Sequence, residues 1–252
     1  MQRTNTLLVG GAIVLALATL SSTPIHAALV AEYNFDTGLT NSAGGSYSPL
    51  AVIGAAPDIS GGSYHSDGNN ANYLEVAPAV GGANPFTVSI WVWTTTANQG
   101  NYKGIFSNND SPSDAYSWQI DSHAGSYRAV GVDIPTRSTP ATANVWQNLV
   151  IRKTGGSQGN FWLDGVQVGS NFGANPGGLQ EFRIGINRNS DNSFTGFIDK
   201  VQIWNSLESA AAIYAAGPGQ NATIVIPEPM TMLAVGMSVA GLGGYIRKRR
   251  RR

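Results

Sequence analysis

Cysteine is absent from the 252 residues, histidine occurs three times, and Asp, Glu, Lys and Arg together make up only 12% of the chain. Without cysteine there is no disulfide framework, so a folded body has to be held by a packed core. Only His65 and His123 lie beyond the first 27 residues, which leaves metallohydrolase and catalytic-triad chemistries little to build on. No two acidic residues are spaced i, i+2, so no strand carries the paired carboxylates, about 5 Å apart on one face, that a retaining glycosidase needs. The formal net charge of zero hides an asymmetry. Six of the 15 cations lie in Arg247–Arg252, and Ala28–Ile226 holds eight cations against 14 acids, a net of −6. Such a surface excludes a nucleic-acid partner, because phosphate binding needs positive charge.

Glycine is abundant, with 31 residues, and it punctuates short β-branched and aromatic runs. The clearest stretch is Val145–Gly169: Leu149–Ile151 and Phe161–Leu163 flank the glycine-rich connector Thr154–Asn160, and Asp164-Gly165 leads into Val166–Val168. This predicts two consecutive hairpins, since Gly, Asn and Asp supply positive-φ turn positions. Gly155-Gly156-Ser157-Gln158-Gly159 matches the nucleophile-elbow pattern, but that motif needs a strand-to-helix turn and here it joins two strands. From Leu29 the chain alternates, with Leu29, Ala31, Tyr33 and Phe35 on one face, which predicts a first strand with a core side. Phe86–Thr96 carries bulk on both faces and is expected to be a central strand, one face in the core and the other covered or lining a groove. Gly104–Ser107 pairs with Tyr116–Ile120, and Tyr127–Val132 leads toward the hairpins. Near the end, Asn205 with Glu208 at the third helical position predicts a capped helix over 207–216, stopped by Gly217-Pro218-Gly219.

Five segments, in order, resemble the LamG-like members of the concanavalin A-like lectin/glucanase superfamily. They are Tyr33-Asn34-Phe35-Asp36; Asp67-Gly68-Asn69-Asn70-Ala71-Asn72-Tyr73; the Phe86-Thr87-Val88-Ser89-Ile90-Trp91-Val92 strand; the Trp146 to Val168 hairpins; and Gly196-Phe197-Ile198-Asp199-Lys200-Val201-Gln202-Ile203-Trp204. Asn41 stands where the family usually has Asp. The resemblance covers residues 28–217 and implies an all-β, two-sheet antiparallel jelly-roll sandwich. An immunoglobulin-like sandwich would show similar strand spacing.

The two ends read as export signals. Residues 1–27 combine Arg3, the apolar run Leu7–Leu20 and, at the small or aliphatic positions before the cut, Ile25 and Ala27, the pattern of a signal peptide cleaved before Ala28. After the linker at 218–226, residues 227–252 hold Pro227-Glu228-Pro229, the apolar stretch Met230–Ile246 and the cations of Arg247–Arg252. This resembles the PEP-CTERM sorting signal of Gram-negative envelope proteins. The resemblance implies an exosortase-type partner and a transient transmembrane helix with its basic end inside. It also implies delivery to the envelope or extracellular matrix.

For the body, the expected role is non-catalytic binding of carbohydrate. Trp93, Tyr116 and Trp118 are the candidate aromatic plates and Asp121 and Arg128 the candidate polar partners. These rings could equally serve the core, since Trp and Tyr dominate sandwich interiors. Jelly-roll binding modules commonly tie first to last strand with Ca²⁺, and the resemblance would place Glu32 or Asn34 with Asp199 around it. The rival readings are a glycan-cleaving enzyme on the same fold and a structural matrix protein without a defined ligand.

Overall fold

The computed structural model describes residues 29–44, 47–76, 85–108, 117–131, 136–153, 158–172, 179 and 181–218. The predicted leader and the sorting segment lie outside them. Fourteen strands follow one another: β1 (Leu29–Tyr33), β2 (Ala51–Ile53), β3 (Tyr64–Asp67), β4 (Tyr73–Val76), β5 (Phe86–Trp93), β6 (Lys103–Asn108), β7 (Trp118–His123), β8 (Ser126–Gly131), β9 (Arg137–Pro140), β10 (Gln147–Lys153), β11 (Gly159–Leu163), β12 (Val166–Gln167), β13 (Phe182–Ile184) and β14 (Thr195–Trp204). A single short helix, α1 (Ala210–Ala215), closes the described chain.

The strands form two seven-stranded antiparallel sheets. One runs β1-β14-β5-β10-β11-β12, with β3 also pairing to β14; the other runs β2-β4-β13-β6-β7-β8-β9. This is the all-β sandwich that the sequence predicts. The inner faces share one core, in which alternate residues of each strand meet. Its centre is aromatic: Trp118 of β7 stacks on Phe86 of β5 at 5.8 Å and on Phe106 of β6 at 5.4 Å, and Phe106 in turn stacks on Phe182 of β13. Tyr33 of β1 meets Phe182 edge-on from the opposite sheet. Two sheets that interlock in this way bury their apolar faces without needing a crosslink.

All eight residues of β5 are buried, as a central strand requires. Its outer face is covered by α1, where Tyr214 stacks on Trp91 and where Val150, Trp204, Ala210 and Ile213 form a small second core. The predicted hairpins are present. β10 pairs with β11 from Leu149↔Leu163 to Lys153↔Gly159, so the segment that matches the nucleophile elbow stands between two paired strands. Asp164 and Gly165 both take positive φ, the mirror-image turn that suits a two-residue hairpin.

The helix begins later than predicted. Thr87 holds the approach to it, its hydroxyl donating to the Ser206 carbonyl and accepting from the Glu208 amide. Residues 206–208 are thereby kept against β5, and Ser209 takes the capping role, its hydroxyl accepting from the Ala212 amide. Asn41 also has a definite job. Its amide oxygen accepts from the Glu32 and Ala43 amides while its nitrogen donates to the Val30 and Tyr47 carbonyls. An ionised Asp, with no donor, could make only the first two.

Candidate functional site

On the outer face of the second sheet, away from the core, strand parity puts Gln119 and Asp121 of β7 beside Arg128 and Val130 of β8. Gln119, Arg128 and Val130, together with Tyr102 and residues of the loop 187–192, line a cleft of about 300 Å³, with Asp121 buried beneath Arg128. That volume is at the lower end of the roughly 300–1,000 Å³ typical of small-molecule sites.

The floor of the cleft is an ion pair. Arg128 donates through Nε and Nη2 to the two oxygens of Asp121, at 2.8 and 2.7 Å, and the Gln119 amide donates to the same carboxylate. The Asp121 side chain is fully buried and that of Arg128 is 11% exposed, so the pair is rigid and water is largely excluded from it. Tyr102 forms one wall. Its ring lies 5.2 Å from the Arg128 guanidinium and 4.6 Å from the His123 ring, and its backbone N–H donates to His123 Nδ1. Tyr102 is 51% exposed and sits at φ 59°, a left-handed conformation that costs a tyrosine energy. A large ring held there by its neighbours presents a fixed flat surface to solvent.

The opposite wall is the loop 187–192. Its Asn187 side chain accepts from the Asp191 and Asn192 amides, and the Asn187 and Asn192 side-chain nitrogens both donate to Asp191 Oδ1. Asn70 binds the loop from below by accepting from the Ser193 amide, and Asp67 orders that turn by accepting from Asn69 and Asn72. The Asp67–Tyr73 motif therefore supports the cleft wall. Gly104 lets the wall approach β6: a Cβ there would lie 1.9 Å from the Asn187 nitrogen, while its amide donates to the Asn192 carbonyl. Arg188 leans into the cleft. Its backbone N–H donates to Gln119 and its Nη1 to the Ser117 carbonyl. Burial pushes its pKa down, with Asp121 pulling it up and Arg128 pushing it down again.

Of the predicted ligand residues, Asp121 and Arg128 are brought together here. Trp118 is not available. Strand parity points it to the opposite face from Asp121, where it is wholly buried between Phe86 and Phe106. Trp93 lies on the other sheet, edge-on to Phe197 and 6% exposed. Tyr116 lies outside the described residues. Tyr102, Gln119, Arg188 and the Asn187–Asn192 wall were not anticipated from the sequence.

The expected calcium ligands each have partners within the protein. Glu32 faces Gln202 across the sheet, and its carboxylate accepts from the Gln202 amide and the Ser42 hydroxyl. Asn34 accepts from the Asp36 amide. Asp199 sits opposite Trp91, buried, and accepts from the Lys200 amide. Among the described residues no group of three His, Asp or Glu is gathered in a way that could hold a metal.

There are two other depressions among the described residues. One, of about 100 Å³, is bounded by Asp58, His65, Asp67 and Tyr73. The other, of about 320 Å³, is lined by Leu163, Val166 and Val168 and contains Asp164, whose oxygens are taken by Asn148 and Gln147.

Residues 67–214 match the family model described as the concanavalin A-like lectin/glucanases superfamily. No curated protein matches the chain. Among solved structures, similarity extends to domain 4 of an extracellular GH43 arabinanase from Geobacillus stearothermophilus, in complex with arabinotriose. The match has a TM-score of 0.54 and 20% identity, over 75% of this chain and 98% of that one. The ligand-binding domain of botulinum neurotoxin serotype D, in complex with N-acetylneuraminic acid, matches with a TM-score of 0.54 and 13% identity, over 75% of this chain and 51% of the toxin domain. Trypanosoma rangeli sialidase matches with a TM-score of 0.55 and 14% identity, over 74% of this chain and 32% of the enzyme. At these identities the likeness is one of fold.

Proposed function

The chain belongs to the concanavalin A-like lectin/glucanases superfamily, and on that premise we propose that it is a non-catalytic module binding a saccharide in the cleft between Tyr102, Arg128 and Arg188. The observation that supports this best is the convergence of one fixed aromatic face with guanidinium and amide groups in a single concave site. A sugar ring presents an apolar C–H face and a rim of hydroxyls. Tyr102 meets the first, and Gln119, Asn187, Asn189 and Asn192 supply planar donors and acceptors for the second. Among the described residues, Asp121 is engaged by Arg128 and Gln119, and Asp191 through Oδ1 by Asn187 and Asn192. A general acid needs a carboxyl within reach of the glycosidic oxygen, and Asp121, buried in its ion pair, is not presented for that work. Saccharides bound to two neighbours of this fold lend the reading general support.

Titration calorimetry of the purified protein against a panel of plant and bacterial oligosaccharides tests the proposal, with Tyr102→Ala as the paired variant. Binding that falls at least about tenfold in the variant, with thermal stability unchanged, supports the cleft. Appearance of reducing ends would move the protein to the glycan-cleaving reading.

We also propose that the body works outside the inner membrane. The basic-apolar leader before Ala28 supports export, and Pro227-Glu228-Pro229, Met230–Ile246 and Arg247–Arg252 support passage through a membrane-held sorting intermediate. Intact-mass measurement of material secreted by a host with an exosortase-type enzyme tests this. A species that starts at Ala28 and ends near Pro229 is expected, and only membrane-bound protein retaining the arginine tail would contradict it.

A further inference from the structure

The cleft contains two guanidinium groups in unequal circumstances. Arg128 is neutralised by a two-point contact with Asp121. Among the described residues no carboxylate lies within ion-pair distance of Arg188, whose side chain donates to the Ser117 carbonyl at 3.2 Å. Asp121 acts on Arg188 only through space, its hydrogen bonds going to Arg128 and Gln119. Asp191, on the same loop, spends Oδ1 on Asn187 and Asn192.

A cation placed in a cleft and left without an anion is costly, and the cost is recovered when an anion arrives. Burial pushes the Arg188 pKa downward, and the nearby Asp121 charge offsets this only in part. Its backbone is held by the Gln119 contact, so the guanidinium is presented from a fixed base and its remaining N–H groups are open to a ligand. The planar fork of an arginine suits a carboxylate in particular, by two parallel hydrogen bonds.

Resting on the saccharide reading above, we propose that the cleft selects acidic sugars, with Arg188 pairing the ligand carboxylate while Tyr102 supports the ring and the asparagine wall receives the hydroxyls. A uronic acid residue within a polysaccharide has the required chemistry: a carboxylate attached to the ring carbon at one end of a pyranose and hydroxyls around the rest. Arg128, tied to Asp121, then serves as a positioning residue for Tyr102 and is not the anion receptor.

The test compares matched ligands on the full-length protein. Oligogalacturonate and oligoglucuronate are titrated alongside the same oligomers after reduction of the carboxyl groups to alcohols, at low and at raised salt. The expected result is that the acidic forms bind at least about tenfold more tightly than the reduced forms, the size of one charge-assisted contact, and that the preference shrinks with salt. In Arg188→Gln the acidic form should fall to the affinity of the reduced one, so that the preference disappears, and Arg188→Lys should restore part of it. Equal binding of acidic and reduced forms by the wild type would overturn the acid preference and leave saccharide binding standing. Wild-type preference undiminished in Arg188→Gln would overturn the role of Arg188. Binding of neither form, with other oligosaccharides also failing, would overturn the saccharide reading itself.

Discussion

Replacing Arg128 by Met would remove the guanidinium from the cleft floor while keeping most of the side-chain volume. Asp121 is fully buried and receives two of its hydrogen bonds from Arg128, so the substitution strands a carboxylate with only the Gln119 amide for company. Breaking one side of a buried pair costs about 3–5 kcal/mol, whereas removing both charges together costs much less. For a body of this size each kcal/mol corresponds to roughly 2–4 °C in Tm, so Arg128→Met should lower Tm by about 6–20 °C. Asp121→Asn combined with Arg128→Met should recover a substantial part of that loss. A urea-unfolding double-mutant cycle measures the coupling directly, and a value of about 2 kcal/mol or more is expected. Additive effects, with Arg128→Met costing less than about 1 kcal/mol, would mean that the pair behaves as an exposed surface bridge. The rigid floor on which the cleft depends would then be refuted.

Gly104→Ala should displace the 187–192 wall, since the added methyl would meet the Asn187 backbone. Saccharide affinity should fall along with Tm, and retention of both would contradict the close approach at that strand. Trp118→Ala should cost about 3–5 kcal/mol as a core truncation without altering ligand affinity per folded molecule, which chemical denaturation and calorimetry together would show. Burial pushes the Tyr47 and Tyr64 phenols up to about 12. Because the folded-state values are raised, this contribution to stability is whole below the unfolded value near 10 and is lost as pH climbs through the folded values. Difference absorbance should therefore show these phenols ionising with cooperative alkaline unfolding, and smooth titration near pH 10 in a folded protein would contradict their burial.

The sandwich was legible because its signals are local. Alternation in Leu29–Tyr33, bulk on both faces of Phe86–Trp93 and the Asp164-Gly165 turn each translate into one strand or one hairpin, and the register follows from them. The cleft was only half legible. Asp121 and Arg128 could be paired as neighbours on adjoining strands, but Trp118 was placed with them although three residues on a strand reverse the face. Counting in twos from Asp121 would have sent Trp118 to the core and Gln119 to the cleft. Tyr102 and Arg188 carried no such signal. Each stands outside the regular strands, and they meet only because β13, β6, β7 and β8 lie side by side. The helix start was misplaced for a related reason: the hydroxyl of Thr87, more than 100 residues away, holds residues 206–208 against β5.

The central claim, that a saccharide is held on the outer face of the second sheet, is tested most directly by a crystal structure of the protein grown with its tightest-binding oligosaccharide. The account predicts a sugar ring against Tyr102, hydroxyls within hydrogen-bond distance of Asn187 or Gln119, and a ligand group on Arg188. Sugar density seated in the hollow beside Asp58 and His65, or against Val166, with the Tyr102 cleft holding solvent alone, would contradict it.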